Sequence, residues 1–341
     1  MALTNDEGRT AHLRLMTKVA RLYHIRGMRQ NDIAKRLDIS QSRVSRLLQE
    51  AEELNIVRTV VTLPPGLHVS LEEKLERMYQ VRTVYVVDAT YDHEDELTVE
   101  LGTAAASLLD LASPESRVIG FTSWSRSLRE MVRVLQPARR SRVTHVVEML
   151  GDVGPPAVQH AAAHSTQKLA ELLGAQPSFL RVPGVVDSPA TRDAVLGRDA
   201  HAKAALDLFN EIDLALVGIG TCEIVAPLRA GDNFFTEQQF QTALSQGAVG
   251  QVNLRFMDRF GQPVDSSLND LVIGITLKQL LQADRRVGVA GGPSKYAAIR
   301  AALLGGWVNV LVTDLGTAER LLSDGDATST NRSVVGPAAS R

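Results

Sequence analysis

The sequence predicts an α/β protein in two parts: a small all-α helix-turn-helix head, then a large domain built on a parallel sheet. Three observations carry this. Residues 29–48 read as two short helices around a tight turn. From about residue 68, near-continuous β-branched runs alternate with helical stretches, the pattern of a parallel sheet covered on both faces. Between these textures stands Pro64-Pro65-Gly66, which can continue neither a helix nor a strand. The 341 residues are also long for one domain. The expected division is a head over 1–63, a linker over 64–67, a large domain over 68–322 and a disordered tail over 323–341, rich in Ser, Thr, Gly, Asp and Ala.

In the head, residues 10–26 carry Leu15, Val19, Leu22 and Tyr23 at helical spacing and end at Gly27, which predicts a supporting helix. The motif follows. Ile33, Leu37, Val44 and Leu48 are placed to bury the seam between its helices, and small Ala34 lets their backbones cross closely. Ser40 suits the N-cap of the second helix, where its hydroxyl takes an orphan amide. The outer face then holds Gln41, Ser42, Arg43, Ser45 and Arg46, short polar groups and arginines that can bond base edges and phosphates in a major groove. Arg29 and Gln30 are expected at the DNA backbone. A plain αα-hairpin with a solvated face is the alternative. Residues 56–63 read as a β-rich piece that could form a small wing.

Charge supports the division. Residues 1–63 hold 11 Lys/Arg against 7 Asp/Glu, so the head is about +4 and the remainder about −6 within a net −2. A basic head on an acidic body fits phosphate contact by the head alone. The lone Cys222 excludes an internal disulfide and a multi-cysteine metal site, which fits a reducing compartment. No apolar run approaches a membrane span, and the first residues lack the order of a signal peptide, so a cytoplasmic protein without membrane contact is expected.

In the large domain, strands are predicted over 83–88, 117–122, 143–150, 215–218, 286–290 and 308–313, with helices over 94–111, 126–135, 158–173, 293–304 and 318–322. Ligands of such sheets bind beyond the strands' carboxyl ends. One loop there is Thr122-Ser123-Trp124-Ser125-Arg126-Ser127, in which helix-start amides, hydroxyls and a guanidinium make an anion cradle, or else a capped helix start with an exposed arginine. Another is Gly291-Gly292-Pro293-Ser294-Lys295, whose glycines permit close backbone approach and whose lysine opens a helix, or else a tight βα turn. Gly218-Ile219-Gly220-Thr221 and Gly151-Asp152 lie at further strand ends. Neither GxGxxG nor GxxxxGK[ST] occurs, which disfavours a dinucleotide or P-loop site.

Catalytic patterns are weak, and no catalytic residue, metal or cofactor is assigned. His160 and His164 are four apart but lack an acidic third ligand nearby. Asp258, Asp265, Asp270 and Asp314 read as solvated loop carboxylates. Glu148 and Asp152 flank a strand end and are the carboxylates an enzyme reading would offer as general base, with no matching acid.

Together the motifs resemble the SorC family of bacterial transcription regulators over roughly residues 15–322. The resemblance is carried by 30–48, 119–128, 216–221, Gly247-Ala248-Val249-Gly250, the run 255–261, Ala290-Gly291-Gly292 with Lys295, and Leu311-Val312-Thr313-Asp314. It implies an effector domain with the fold of sugar-phosphate isomerases, a homo-tetramer (a dimer of dimers) on operator DNA, and control by a sugar, sugar phosphate or polyol. By the same resemblance, residues 123–127 match the phosphate-holding segment, with Ser125-Arg126-Ser127 where the family usually has Gly-Arg-Thr. Lys295 matches the lysine after the paired glycines. Gln251 stands where the family often has an acidic residue that binds a sugar hydroxyl. The expected effector residues are therefore Ser123, Trp124, Ser125, Arg126, Ser127, Gly151, Gly220, Thr221, Gln251, Gly291, Gly292 and Lys295. The rival is a sugar-phosphate isomerase or deaminase with a DNA-binding appendage.

Overall fold

The computed structural model describes residues 3–57, 66–89, 94–112, 116–138 and 141–334; within these, side chains at 3–7, 110–112 and 326–334 are excepted. The chain divides into two compact units, Met1–Pro64 and Pro65–Arg341.

The first unit packs three helices, α1 (Leu3–Ala20), α2 (Gln30–Leu37) and α3 (Gln41–Glu53). Helix α1 starts seven residues before the expected helix and continues as one π-helical turn, Arg21–Ile25. Met16, Val19, Ile33, Ala34, Val44, Leu47, Leu48 and Ala51 form the core, with Leu37 and Ile39 packed at its edge. The turn between α2 and α3 depends on Asp38, which adopts the left-handed conformation at φ 51°. His12 Nε2 lies 2.9 Å from Glu50 Oε2 and ties α1 to α3. The wing expected over 56–63 lies outside the described residues, save for Ile56 and Val57.

The second unit is built on seven parallel strands in the order β1-β9-β8-β5-β2-β3-β4. These are β1 (Thr83–Val87), β2 (Val118–Phe121), β3 (His145–Glu148), β4 (Gln176–Ser178), β5 (Leu214–Gly218), β8 (Arg285–Val289) and β9 (Val310–Asp314). Alternate residues enter opposite cores: Leu214 and Leu216 face one, Ala215 and Val217 the other. That explains why inner strands such as β5 read as continuous apolar runs. An antiparallel hairpin, β6 (Ala248–Val252) and β7 (Arg255–Asp258), stands apart from the sheet.

Helices α4 (Val69–Tyr79), α5 (Glu94–Ala112), α6 (Arg126–Val134), α7 (Pro156–Leu173), α8 (Pro189–Arg198), α9 (Ala200–Asp207), α10 (Glu237–Ser245), α11 (Leu277–Gln282), α12 (Tyr296–Leu304) and α13 (Leu315–Val334) complete the unit. Helix α13 carries the backbone on to Val334, past the Ser323 from which composition pointed to disorder. Tertiary contact supplies the reason. The Tyr296 hydroxyl donates to Asp324, and Gly325 sits so close to Met78 of α4 that a Cβ there would collide. Residues 335–341 lie outside the described ones.

The strand order fixes where a ligand can sit. From β2 the chain adds β3 and β4 to one side; from β5 it adds β8 and β9 to the other. The crevice beyond the carboxyl ends of β2 and β5 is therefore the topological switch point of the sheet, the usual ligand position in such folds.

Candidate functional sites

The outward face of α3 is built by its cap and its buried stripe. Ser40 is the N-cap, and its hydroxyl accepts the Arg43 amide at 3.3 Å. Val44, Leu47 and Leu48 point into the head core, so Gln41, Ser42, Arg43, Ser45 and Arg46 are left exposed together. Arg29 precedes α2 and is exposed; Gln30 is half-buried. Arg29, Arg43 and Arg46 make no ion pair among the described residues.

At the switch point, β2 ends in a turn in which the Ser125 amide donates to the Thr122 carbonyl at 3.1 Å, and α6 begins at Arg126. Ser125 is the N-cap, but its hydroxyl makes no capping bond and lies over Gly218, where a Cβ would come within 2.9 Å of it. Ser123 and Ser127 are buried, leaving Ser125 as the half-open hydroxyl of the three. Trp124 is half-buried, packs edge-on against Phe234, and keeps an enclosed indole N–H without a partner. Arg126 projects outward and pairs with Glu94 and, at 3.8 Å, with Asp95.

Next along the sheet, Gly220 and Gln251 exchange two backbone hydrogen bonds of 2.9 Å, which brings the β6–β7 hairpin over the end of β5. Gln251 is buried. Its Oε1 accepts the Leu254 amide at 2.9 Å, and its Nε2 lies over Gly220, leaving no room for a Cβ. The carboxamide expected to meet a hydroxyl thus spends its acceptor on the hairpin and keeps its donor. Thr221 is half-buried beside it.

The third strand end is the glycine turn after β8. Gly292 has φ 93°, and its amide donates to Asp314 Oδ2 at 2.7 Å; a Cβ at Gly291 would strike the same carboxylate. Asp314 is thereby corrected from a solvated loop carboxylate to a fully buried one, held also by the Thr317 amide and hydroxyl at 2.8 Å each. The paired glycines wrap this anion closely, and that presents Lys295 on the following turn. Lys295 is half-buried, and burial first, then the nearby Arg126 charge, hold its amine below the ordinary lysine value, while Glu94 opposes them. Arg126 and Lys295, 169 positions apart by their numbers, therefore share one electrostatic neighbourhood.

Gly151 serves the fold. Its amide donates to the Ile273 carbonyl at 3.0 Å, and a Cβ would meet the Val182 carbonyl at 2.5 Å. Asn253 is a residue the sequence reading missed. It is buried, accepts the Thr122 hydroxyl at 2.8 Å on Oδ1, and has an unpartnered Nδ2. The signal was local: Asn253 and Leu254, at φ 48° and 60°, form the two-residue hairpin turn, and asparagine favours that conformation where leucine hides it.

The carboxylates offered for catalysis are engaged elsewhere. Arg181 lies 3.3 Å from Glu148 Oε1 and 2.6 Å from Asp152 Oδ1, and Thr166 and the Leu180 amide also donate to Glu148. His160 and His164 are exposed on α7, and no metal-binding cluster occurs among the described residues. No helix among them is long and apolar enough to cross a membrane.

Comparison with known proteins places this geometry. Residues 64–323 match a family model described as "Putative sugar-binding domain". The chain is 30% identical to the sorbitol operon regulator of Klebsiella pneumoniae over 316 residues, 91% of this chain and 98% of that protein. It is also 30% identical to the deoxyribonucleoside regulator of Bacillus subtilis (strain 168), over 91% of this chain and 97% of that one. The crystal structure of the full-length Klebsiella regulator superposes with a TM-score of 0.68, covering 91% of this chain and 98% of that one. The helical head, the seven-stranded parallel sheet and these matches together show that the chain belongs to the SorC family of sugar-binding transcriptional regulators.

Proposed function

We propose that this protein is a DNA-binding regulator whose operator affinity is set by a phosphorylated sugar or polyol held at the switch point of the sheet. The observation that carries the reading is the turn 123–127 at the end of β2 with Arg126 opening α6, and the half-buried Lys295 on the turn after β8, near enough for the Arg126 charge to act on its amine. Two cations from distant strands, with helix-start amides beside them, suit a phosphate. The free donors of Trp124 and Gln251 suit hydroxyl oxygens on the same ligand. Gln41, Ser42, Arg43, Ser45 and Arg46 read bases, with Ser40 capping their helix and Arg29 and Gln30 at the backbone. The regulator acts in the cytoplasm as a homo-tetramer whose two pairs of heads engage operator half-sites, because linking heads raises effective concentration. No catalytic residue is part of this reading, and the two carboxylates an isomerase reading would offer pair with Arg181. The names of the relatives, for sorbitol and for deoxyribonucleosides, favour a carbohydrate effector.

The test is a thermal-shift screen against free and phosphorylated sugars and polyols. A ligand that binds only the folded state stabilises it by mass action, about 2.7 kcal/mol at a hundredfold excess over Kd. The expected outcome is a phosphorylated hit whose shift disappears in Arg126→Ala and in Lys295→Ala. A hit confined to free sugars, or one indifferent to both variants, would sink the phosphate assignment.

A further inference from the structure

The guanidinium assigned to the effector is already occupied. Glu94 opens α5, and its carboxylate bonds Arg126 directly, while Asp95 lies 3.8 Å from the other terminal nitrogen. The placement is set by packing. A Cβ at Gly102 of α5 would lie 2.8 Å from the Met131 amide and 2.9 Å from the Ser127 carbonyl of α6, so the two helices are closely seated. Lys295, by contrast, has no carboxylate within ion-pair distance among the described residues, although Glu94 is near enough to act on its charge.

We propose that Glu94 is an internal stand-in for the effector's phosphate: it holds Arg126 while the pocket is empty and restricts the site to ligands whose anionic group can displace it. The proposal rests on the effector reading of Arg126 and Lys295 given above. A neutral hydroxyl that replaced the carboxylate would exchange a charge-assisted bond for a weaker one. A phosphate monoester carries about 1.5 to 2 negative charges at neutral pH and three acceptor oxygens. It can engage Arg126 and Lys295 together, which the single Glu94 carboxylate does not. The released Glu94 returns to water at little cost, because both members of the pair are largely exposed, at 72% and 48%. Glu94 is thus a specificity-determining residue that discriminates by ligand charge.

Full-length wild type and Glu94→Gln are titrated with inorganic phosphate and, separately, with sorbitol as a neutral probe. Removing the competitor should tighten phosphate binding roughly two- to fivefold, the range of an exposed ion pair, and leave the response to sorbitol unchanged. The gain should vanish in Glu94→Gln/Arg126→Ala. Unchanged phosphate affinity in Glu94→Gln overturns the proposal; so does weaker affinity, which would place Glu94 among the ligand's own contacts, and so does absence of phosphate binding in both proteins. The two readings fail separately. Sugar phosphates that bind through Arg126 without any Glu94 effect leave the function intact and remove the stand-in. A Glu94-dependent phosphate site that no sugar phosphate occupies does the reverse.

Discussion

Glu148 lies 3% exposed at the end of β3, and its environment shows how a carboxylate that looks catalytic in sequence becomes structural in the fold. Burial lifts its pKa above the ordinary glutamate value, and Arg181 is the main influence pulling it back, ahead of Thr166 and Leu180. Arg181→Met should therefore leave a desolvated carboxylate with only neutral donors. Breaking a buried pair costs roughly 3–5 kcal/mol, and because the Arg181 side chain is 40% exposed the expected loss is nearer ~2 kcal/mol at neutral pH. The sign of the pH dependence follows. A carboxyl whose folded-state pKa exceeds its unfolded one holds its proton more tightly when folded, so stability falls as pH rises from the ordinary value through the raised one. The deficit should be smallest near the ordinary glutamate pKa and grow as pH rises above it in urea melts; a deficit independent of pH would remove Glu148 as its cause. The sequence offered Glu148 and Asp152 as neighbours at a strand end but could not show Arg181, 33 positions beyond Glu148, closing over both. Asp314 was misjudged for a related reason: its partners are the Gly292 amide, in the turn after the neighbouring strand β8, and a threonine one helical turn on.

The element that joins two parts of the candidate pocket is the β6–β7 hairpin. Its turn places Asn253 against Thr122 at the end of β2, and its first strand places Gln251 against Gly220 at the end of β5. Asn253→Ala removes the acceptor for a buried hydroxyl and puts a Cβ residue without local hydrogen bonding at φ 48°. An unsatisfied buried hydroxyl costs about 1–3 kcal/mol, and a melting temperature lowered accordingly is expected, together with weaker effector binding as the hairpin loosens. Unaltered binding in a destabilised Asn253→Ala would show that the hairpin supports the fold alone. The elements that sequence made legible are those with a strong period. The six predicted strands carry both-face apolar runs, and α6 and the head helices carry buried stripes. Two that escaped lack one. Helix α8 buries no residue, and β4 is a three-residue edge strand containing Pro177, which pairs with β3 alone. The hairpin escaped because Leu254 occupies a turn position that usually announces itself with glycine.

At the scale of the molecule, charge and chain division support the proposal that DNA contact belongs to one unit. Residues 1–63 carry about +4 and the rest about −6, so net charge favours phosphate-backbone contact by the head over contact by the large domain. Arg46 is exposed on α3 and unpaired among the described residues, free for a base edge or phosphate. Losing such a contact costs roughly 1–3 kcal/mol per head, and in the proposed oligomer two heads on one operator would roughly double that in free energy. Arg46→Ala should thus weaken operator binding at least tenfold while the effector's thermal shift stays at its wild-type size, since all the proposed effector residues lie in the unit Pro65–Arg341. Sugar control then needs only a different effector affinity in the DNA-competent and incompetent arrangements, a coupling of about 1–3 kcal/mol or 5- to 150-fold in operator Kd. By reciprocity, operator DNA must shift effector affinity by the same factor in wild type, and in Arg46→Ala the same shift should need correspondingly more operator. Titrating effector with and without operator, in both proteins, reads the coupling directly. Equal loss of effector binding and DNA binding in Arg46→Ala would mean that the two units are not the separate modules their charge and packing describe.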